Sequence, residues 1–299
     1  MVRRGKLYQQ RDYAERRSDE MNVVVVGAGT MGSGIAYSAA AAGHNVKVVE
    51  QDQKLLDSGL GRVQQYLDRA IARGHLSRDQ APTVKAKLHG TTDFAQACKD
   101  ASLVVEAVFE DPVIKEKVFA TVDKFSPRDA ILASNTSSIS ITRLAKATSR
   151  PDKVLGLHFF NPVPTMKLVE LIKGAQTSPT TVTTASGFVE SLGKTVVQSQ
   201  DKTGFIVNKA LMPFLNESIK LLEQGVASKE DIDKAFVLGT NHPMGPLQLS
   251  DFIGVDVVYQ TLKVLETEYG SCFKPTSLLE KMVKEGKLGR KNGKGFYDY

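Results

Sequence analysis

The chain has 299 residues, of which 41% are hydrophobic and 24% are charged, close to average usage in soluble globular proteins. This composition excludes disordered, collagen-like and coiled-coil classes. No apolar run approaches the roughly 18 residues that a membrane-spanning helix requires, and the net charge of +6 is low for a nucleic-acid-binding protein of this length. We therefore expect neither a membrane nor a nucleic acid as a partner. At about 150 residues per domain, the length indicates two domains.

The first twenty residues differ from the rest of the chain. Residues 1–20 combine six basic and four acidic side chains with almost no aliphatic ones, so we expect a flexible N-terminal extension and a folded part that begins at Met21. The chain has only two cysteines, which favours a reducing compartment and hence a cytoplasmic location. Its five histidines show no metal-ligand spacing, and no metal is expected.

The order of the predicted elements indicates the fold class. From residue 21 to residue 201, β-rich runs alternate with helical patterns, and the main runs are 23–26, 45–50, 101–109, 130–136 and 153–160. This alternation predicts an α/β domain with a Rossmann-like, doubly wound and mostly parallel sheet. The long helical stretch 53–88 is predicted to form a helical hairpin insertion. Residues 202–299 show helical periodicity throughout and predict a second, all-helical domain, with a helix capped by Ser228.

A glycine-rich turn follows the first predicted strand. Gly27, Gly29 and Gly32 occupy the three positions of G-x-G-x-x-G, and Thr30 and Met31 open the helix that follows. In such a turn the first glycine permits the sharp bend, the second the close approach of a diphosphate, and the third the contact of helix with strand. Glu50 ends the second strand, where an acid accepts hydrogen bonds from ribose hydroxyls.

This segment predicts a dinucleotide-binding site and favours NAD over NADP. A carboxylate at Glu50 repels a 2′-phosphate, and no arginine follows it in residues 51–53. FAD and S-adenosylmethionine bind at similar turns, so the motif alone leaves these cofactors open.

A second motif supplies candidate acid–base chemistry. In GLHFFNPVPTMKLVELI, a symmetric hairpin centred on Pro164 places His158 directly opposite Glu170. Cross-strand partners have Cβ atoms about 5 Å apart, so the carboxylate can orient the imidazole and favour its protonated form. From spacing alone, a hydrogen-bonded core histidine and a solvated glutamate remain equally open interpretations.

These motifs occur together with SNTSS (134–138), GFIVNK (204–209), HPMGPLQLSDFIG (242–254) and GKGFYDY (293–299). In this combination and order, the chain from Met21 to Tyr299 resembles the L-3-hydroxyacyl-CoA dehydrogenase family, in its short single-function form that acts on 3-hydroxybutyryl-CoA. The resemblance implies NAD-dependent oxidation of an (S)-3-hydroxyacyl-CoA to the 3-ketoacyl-CoA, and the reverse reduction, in fatty acid metabolism.

The resemblance also implies roles for individual residues. His158 would be the general base and Glu170 its orienting partner, while Ser137 and Asn208 would hydrogen-bond the substrate's 3-oxygen or the histidine. Additional cofactor contacts would come from Glu110, Lys115 and Lys291.

The helical domain would contribute to the substrate cleft, which would lie between the domains, and would form a homodimer interface. Arg62, Arg69 and Arg73 are candidates for contact with the phosphates of coenzyme A, although a solvated helix face explains them equally well.

Two other functions remain open at this point. One is a β-hydroxyacid dehydrogenase that acts on a free acid, which would rely on a lysine in a glycine-rich helix. The other is a non-catalytic NAD-binding protein, which would be expected to lack the His158 and Glu170 pair.

Overall fold

The structure, a computed structural model, describes residues 20–299, and the chain divides after Asp201 into two units. Residues 1–19 of the expected N-terminal extension lie outside the described residues. Glu20 is exposed, and its carboxylate lies 2.6 Å from the ammonium of Lys87. No helix within residues 20–299 combines the length and the apolar character needed to cross a membrane.

The first unit is built on one sheet of eight strands, β1 to β8: Asn22–Val26, Asn45–Val49, Leu88–Thr91, Leu103–Glu106, Ile131–Ser134, Val154–Phe159, Leu168–Lys173 and Thr195–Gln200. Their order is β3-β2-β1-β4-β5-β6-β7-β8, and every neighbouring pair is parallel except β6 with β7. The first six strands have the order found in dinucleotide-binding domains. The predicted fold class is confirmed, and the structure adds the edge strand β3.

Seven helices connect these strands, α1 to α7: Thr30–Ala41, Gln53–Ala72, Ala81–Ala86, Phe94–Cys98, Pro112–Phe125, Ile141–Ala145 and Pro179–Ser191. Five of them begin at a side chain that accepts a hydrogen bond from a backbone N–H of the first turn: Asp52, Asp93, Asp111, Ser140 and Ser178. These caps satisfy donors that a helix leaves unpaired at its start. The helix beginnings are therefore specified locally.

The core of the first unit lies on both faces of the sheet. Residues 23–26 of β1 are all buried, as expected for a central parallel strand. The stretch 53–88 contains α2, α3 and the start of β3 rather than helix alone. Its apolar residues Leu56, Val63, Leu67 and Val84 belong to the domain core, so both helices pack on the domain.

The second unit contains five helices, α8 to α12: Val207–Glu223, Lys229–Gly239, Pro246–Ile253, Val255–Tyr269 and Ser277–Lys284. Apolar residues from all five form its core. The side chain of Ser228 accepts a hydrogen bond from the backbone N–H of Asp231, which confirms the predicted cap of α9. Two buried aspartates hold the C-terminal segment: Asp233 accepts from the Tyr297 hydroxyl at 2.8 Å, and Asp251 from the Phe296 N–H at 2.9 Å.

Candidate active site

The turn between β1 and α1 requires glycine at two positions. Gly27 has φ +101°, and a Cβ atom there would lie 2.7 Å from the carbonyl oxygen of Ala107. A Cβ atom at Gly32 would lie 1.9 Å from the Gly27 carbonyl oxygen. At Gly29, by contrast, a Cβ atom would meet nothing within 4 Å among the described residues. The loop therefore has no space for side chains at Gly27 and Gly32, whereas the space beside Gly29 is open for the approach of a ligand.

The start of α1 and the end of β2 supply the polar groups of this loop. Thr30 and Met31 form the first turn of α1, and the N-cap Gly29 makes no side-chain cap. The Glu50 carboxylate accepts hydrogen bonds from Ala28 N–H at 3.0 Å and from Gln51 N–H at 2.9 Å. An uncapped helix start beside a glycine loop is suited to an anionic diphosphate. These residues fit a dinucleotide, while the contact of Glu50 with a ribose stays a prediction.

His158 and Glu170 form a buried pair across the antiparallel strands β6 and β7. The register pairs them directly, which confirms the hairpin predicted from the sequence. The Nδ1 atom of His158 lies 2.7 Å from the Oε2 atom of Glu170. The His158 side chain is 10% exposed and that of Glu170 is fully buried. A short hydrogen bond in a setting with little water fixes the orientation of the ring.

The loop between β6 and β7 is held by contacts that sequence reasoning missed. The Lys194 ammonium donates hydrogen bonds to the carbonyl oxygens of Val163 at 2.5 Å and Met166 at 2.7 Å. Burial lowers the pKa of Lys194. Val163 also lies against α1, where a Cβ atom at Gly34 would be 2.8 Å from the Val163 Cβ. A lone lysine before a strand carries no sequence signal for this role, because its partners are backbone atoms.

Ser137 lies in the loop after β5, and Glu110 organises that loop. Its Oε1 atom accepts hydrogen bonds from the Thr136 hydroxyl at 2.6 Å and from the Ser137 N–H at 2.9 Å, with the Ser137 hydroxyl at 3.3 Å. The neighbouring Asn135 accepts from the Phe159 N–H at 2.9 Å, which ties this loop to the end of β6. Glu110 therefore acts first as a support for the loop that carries Ser137.

Lys115 is fully buried between two carboxylates. Its ammonium lies 2.6 Å from Glu106, the last residue of β4, and 3.3 Å from Glu110. Burial opposes the ionisation of Glu110, but Lys115, the Thr136 hydroxyl and the Ser137 N–H outweigh it and hold the pKa of Glu110 below its ordinary value. No part of the Lys115 side chain is exposed, and its predicted contact with the cofactor stays a prediction. Glu106 was not predicted from the sequence.

The three arginines of α2 and its end have different surroundings. Arg62 donates to the Ala28 carbonyl oxygen of the glycine loop at 2.8 Å. Arg69 and Arg73 are exposed. Both interpretations stay open for the last two residues, while Arg62 contacts the glycine loop.

The dinucleotide turn and the Ser137 loop follow the carboxyl ends of β1 and β5, and His158 is the last residue but one of β6. All three therefore lie towards the edge of the sheet where doubly wound folds bind their ligands. The family described as 3-hydroxyacyl-CoA dehydrogenase, NAD binding domain, matches residues 22–202. Its C-terminal domain matches residues 204–299. The chain belongs to the 3-hydroxyacyl-CoA dehydrogenase family.

Relatives of similar sequence and structure align with more than nine tenths of this chain. The 3-hydroxybutyryl-CoA dehydrogenase of Clostridioides difficile is 45% identical over 93% of this chain and 99% of its own length. The mitochondrial hydroxyacyl-coenzyme A dehydrogenase of Sus scrofa is 41% identical over 93% of this chain and 91% of its own. The crystal structure of (S)-3-hydroxybutyryl-CoA dehydrogenase from Ralstonia eutropha has a TM-score of 0.89 and 42% identity, covering 94% of this chain and 99% of that one.

Family membership confirms the first of the three functions considered from the sequence. This chain is an NAD-dependent 3-hydroxyacyl-CoA dehydrogenase whose first unit is the NAD-binding domain. The alternatives of a free-acid dehydrogenase and a non-catalytic NAD-binding protein are accordingly disfavoured.

Two predicted site residues of this dehydrogenase belong to the second unit. Asn208 is half-buried in the first turn of α8. Lys291 forms an ion pair with Asp256 at the start of α11. Their contacts with substrate and cofactor stay predictions.

Proposed function

We propose that this enzyme interconverts short-chain (S)-3-hydroxyacyl-CoA and 3-ketoacyl-CoA esters, with 3-hydroxybutyryl-CoA as the preferred substrate, and that His158 is its general acid and base. The buried hydrogen bond between His158 and Glu170 carries this proposal. The names of the relatives in Clostridioides difficile and Ralstonia eutropha support the choice of a four-carbon acyl group.

In the oxidative direction, His158 takes the proton of the 3-hydroxyl group. Because Nδ1 is bonded to Glu170, the nitrogen that exchanges this proton is Nε2. Bound NAD would supply the acceptor for the hydride that leaves C3. Glu170 stabilises the positive charge that the ring gains, and in reduction His158 returns the proton to the 3-oxygen.

Ser137 and Asn208 are proposed to hydrogen-bond the 3-oxygen or the catalytic histidine. Charge builds on this oxygen during the reaction, and fixed donors stabilise such charge more effectively than water does. The support for Ser137 is the loop geometry set by Glu110, while the support for Asn208 is its position in the family motif.

Cofactor contacts are proposed for the glycine loop, Thr30, Met31, Glu50, Glu110, Lys115 and Lys291. The open space at Gly29 supports a diphosphate at this loop, and the Glu50 carboxylate directly after β2 supports NAD rather than NADP.

The decisive experiment is the variant His158→Gln. We expect its NADH affinity, measured by fluorescence titration, to stay within about twofold of the wild type, while kcat with acetoacetyl-CoA falls by about three orders of magnitude. Retained turnover would remove His158 from the mechanism. Assays with 3-ketoacyl-CoA esters of increasing length, and with free acetoacetate, test the substrate assignment, since equal activity with the free acid would contradict it.

We also propose a homodimer formed through the helical unit. Large apolar side chains on its surface support this: Val226, Leu238, Phe252, Val257 and Val264 are each at least 41% exposed. Light scattering after size exclusion should give twice the mass of one chain, and a monomer at micromolar concentration would contradict the proposal. The cytoplasm is retained as the proposed location, although a mitochondrial relative also matches.

A further inference from the structure

The helix α2 lies against the glycine loop, and Arg62 is part of that contact. Gly59 permits the approach, because a Cβ atom there would lie 2.5 Å from both the Cβ and the carbonyl oxygen of Ala28. Three residues further along α2, Arg62 donates a hydrogen bond of 2.8 Å from Nη2 to that carbonyl oxygen, and one of 3.1 Å from Nη1 to the Ser58 hydroxyl. The helix thus places a permanent positive charge on the backbone of the loop.

The polar backbone groups of Ala28 are all engaged. Its N–H donates to Glu50, and its carbonyl oxygen accepts from the Ser33 hydroxyl at 3.0 Å as well as from Arg62. A guanidinium bound to this oxygen neutralises the negative end of the peptide dipole. The positive N–H ends of the loop and of α1 are then the groups that an anionic ligand meets.

The remaining donors of Arg62 point to a role beyond packing. Within residues 20–299, its Nε atom is the one buried side-chain nitrogen or oxygen without a hydrogen-bond partner. Buried donors are almost always paired, so an exception calls for an explanation other than stability. Ligand binding is such an explanation. Two of the five N–H groups hold the guanidinium beside the diphosphate-binding loop, so its positive charge acts on the ligand.

We propose that Arg62 is a positioning residue for the dinucleotide, which fixes the Ala28 carbonyl group and adds positive charge beside the diphosphate. It raises the affinity for NAD and NADH and leaves the affinity for coenzyme A esters unchanged. This proposal rests on the placement of NAD at the glycine loop in the proposed function.

The test compares Arg62→Met and Arg62→Lys by two independent readouts, the Kd of NADH from fluorescence titration without substrate and the KM of acetoacetyl-CoA at saturating NADH. We expect Arg62→Met to raise the NADH Kd about tenfold and to leave the KM of acetoacetyl-CoA within twofold. Arg62→Lys should raise the Kd by less, since an ammonium keeps the charge but cannot hold both partners in one fork. The control Lys85→Met removes an exposed positive charge from α3 of the same domain and should change neither value.

An unchanged NADH Kd in Arg62→Met would overturn the proposal. A raised KM for acetoacetyl-CoA with an unchanged NADH Kd would also overturn it and would assign Arg62 to coenzyme A. Circular dichroism verifies folding, and if Arg62→Met does not fold, Arg62→Lys decides by the same criterion. Because NADH binding is measured without turnover, this result is independent of whether His158 is the catalytic base.

Discussion

Replacing Glu170 by glutamine removes one negative charge from the catalytic pair while keeping its size and its ability to accept a hydrogen bond. The wild-type carboxylate is fully buried and lies 2.7 Å from His158 Nδ1. Two unit charges about 4 Å apart at an effective dielectric constant of about 20 attract each other by about 4 kcal/mol. This attraction exists only after His158 has taken the proton, so it lowers the barrier and not the energy of the bound substrate.

We therefore expect Glu170→Gln to reduce kcat for 3-hydroxybutyryl-CoA oxidation by about 10³, which corresponds to about 4 kcal/mol. The assay is NADH formation at 340 nm under saturating substrate and NAD. NADH affinity and the KM of the substrate should stay within about threefold. The variant Glu170→Ala, which removes orientation as well as charge, should lose more activity than Glu170→Gln. A Glu170→Gln enzyme with kcat within about fivefold of the wild type would refute the assigned role of the charge.

Three further changes test other parts of the first unit. Gly32→Ala places a Cβ atom 1.9 Å from the Gly27 carbonyl oxygen and should abolish NADH binding. At Gly61, in α2, a Cβ atom meets nothing within 4 Å, so Gly61→Ala should raise the free energy of unfolding in urea by about 1 kcal/mol. Lys194→Met leaves two carbonyl groups without their hydrogen-bond donor, so the free energy of unfolding, measured by thermal unfolding, should fall by about 2 kcal/mol and kcat should fall several-fold. Unchanged values would contradict the proposal that Lys194 supports the β6–β7 loop. Burial lowers the pKa of His44 below its ordinary value of 6.5, so its contribution to stability is complete above pH 6.5 and is lost as the pH falls. The free energy of unfolding should therefore depend less on pH in the His44→Gln variant than in the wild type.

The catalytic hairpin was predictable because its two strands are adjacent in the chain. His158 and Glu170 are separated by a short turn, and a hairpin of that length sets their register without reference to distant parts of the protein. The glycine turn was predictable for the same reason, since the positive φ of Gly27 and the close approach of Gly32 to the Gly27 carbonyl oxygen are local to the turn. The contact of Gly27 with the Ala107 carbonyl oxygen, by contrast, depends on the packing of the sheet.

The supporting contacts were not predictable in this way. Lys194 binds carbonyl groups 28 and 31 positions earlier, and Arg62 binds one 34 positions earlier. Every residue carries a backbone carbonyl group, so no sequence pattern shows which of them will accept a hydrogen bond from a distant side chain. The burial of Lys115 against Glu106 likewise depends on how α5 packs onto β4.

The amino-acid sequence by itself determined the family, because several short motifs occur in a matching order along the chain. It also determined the alternating α/β order, the cofactor turn and the local register of the acid–base pair, because each element of these depends on residues close together in the chain. Only the tertiary structure decided that Lys115 is buried, that Glu110 supports the Ser137 loop and that Arg62 of α2 contacts the glycine loop. Those assignments depend on which side chains are excluded from water and which backbone groups they meet, and both are properties of the packed domain.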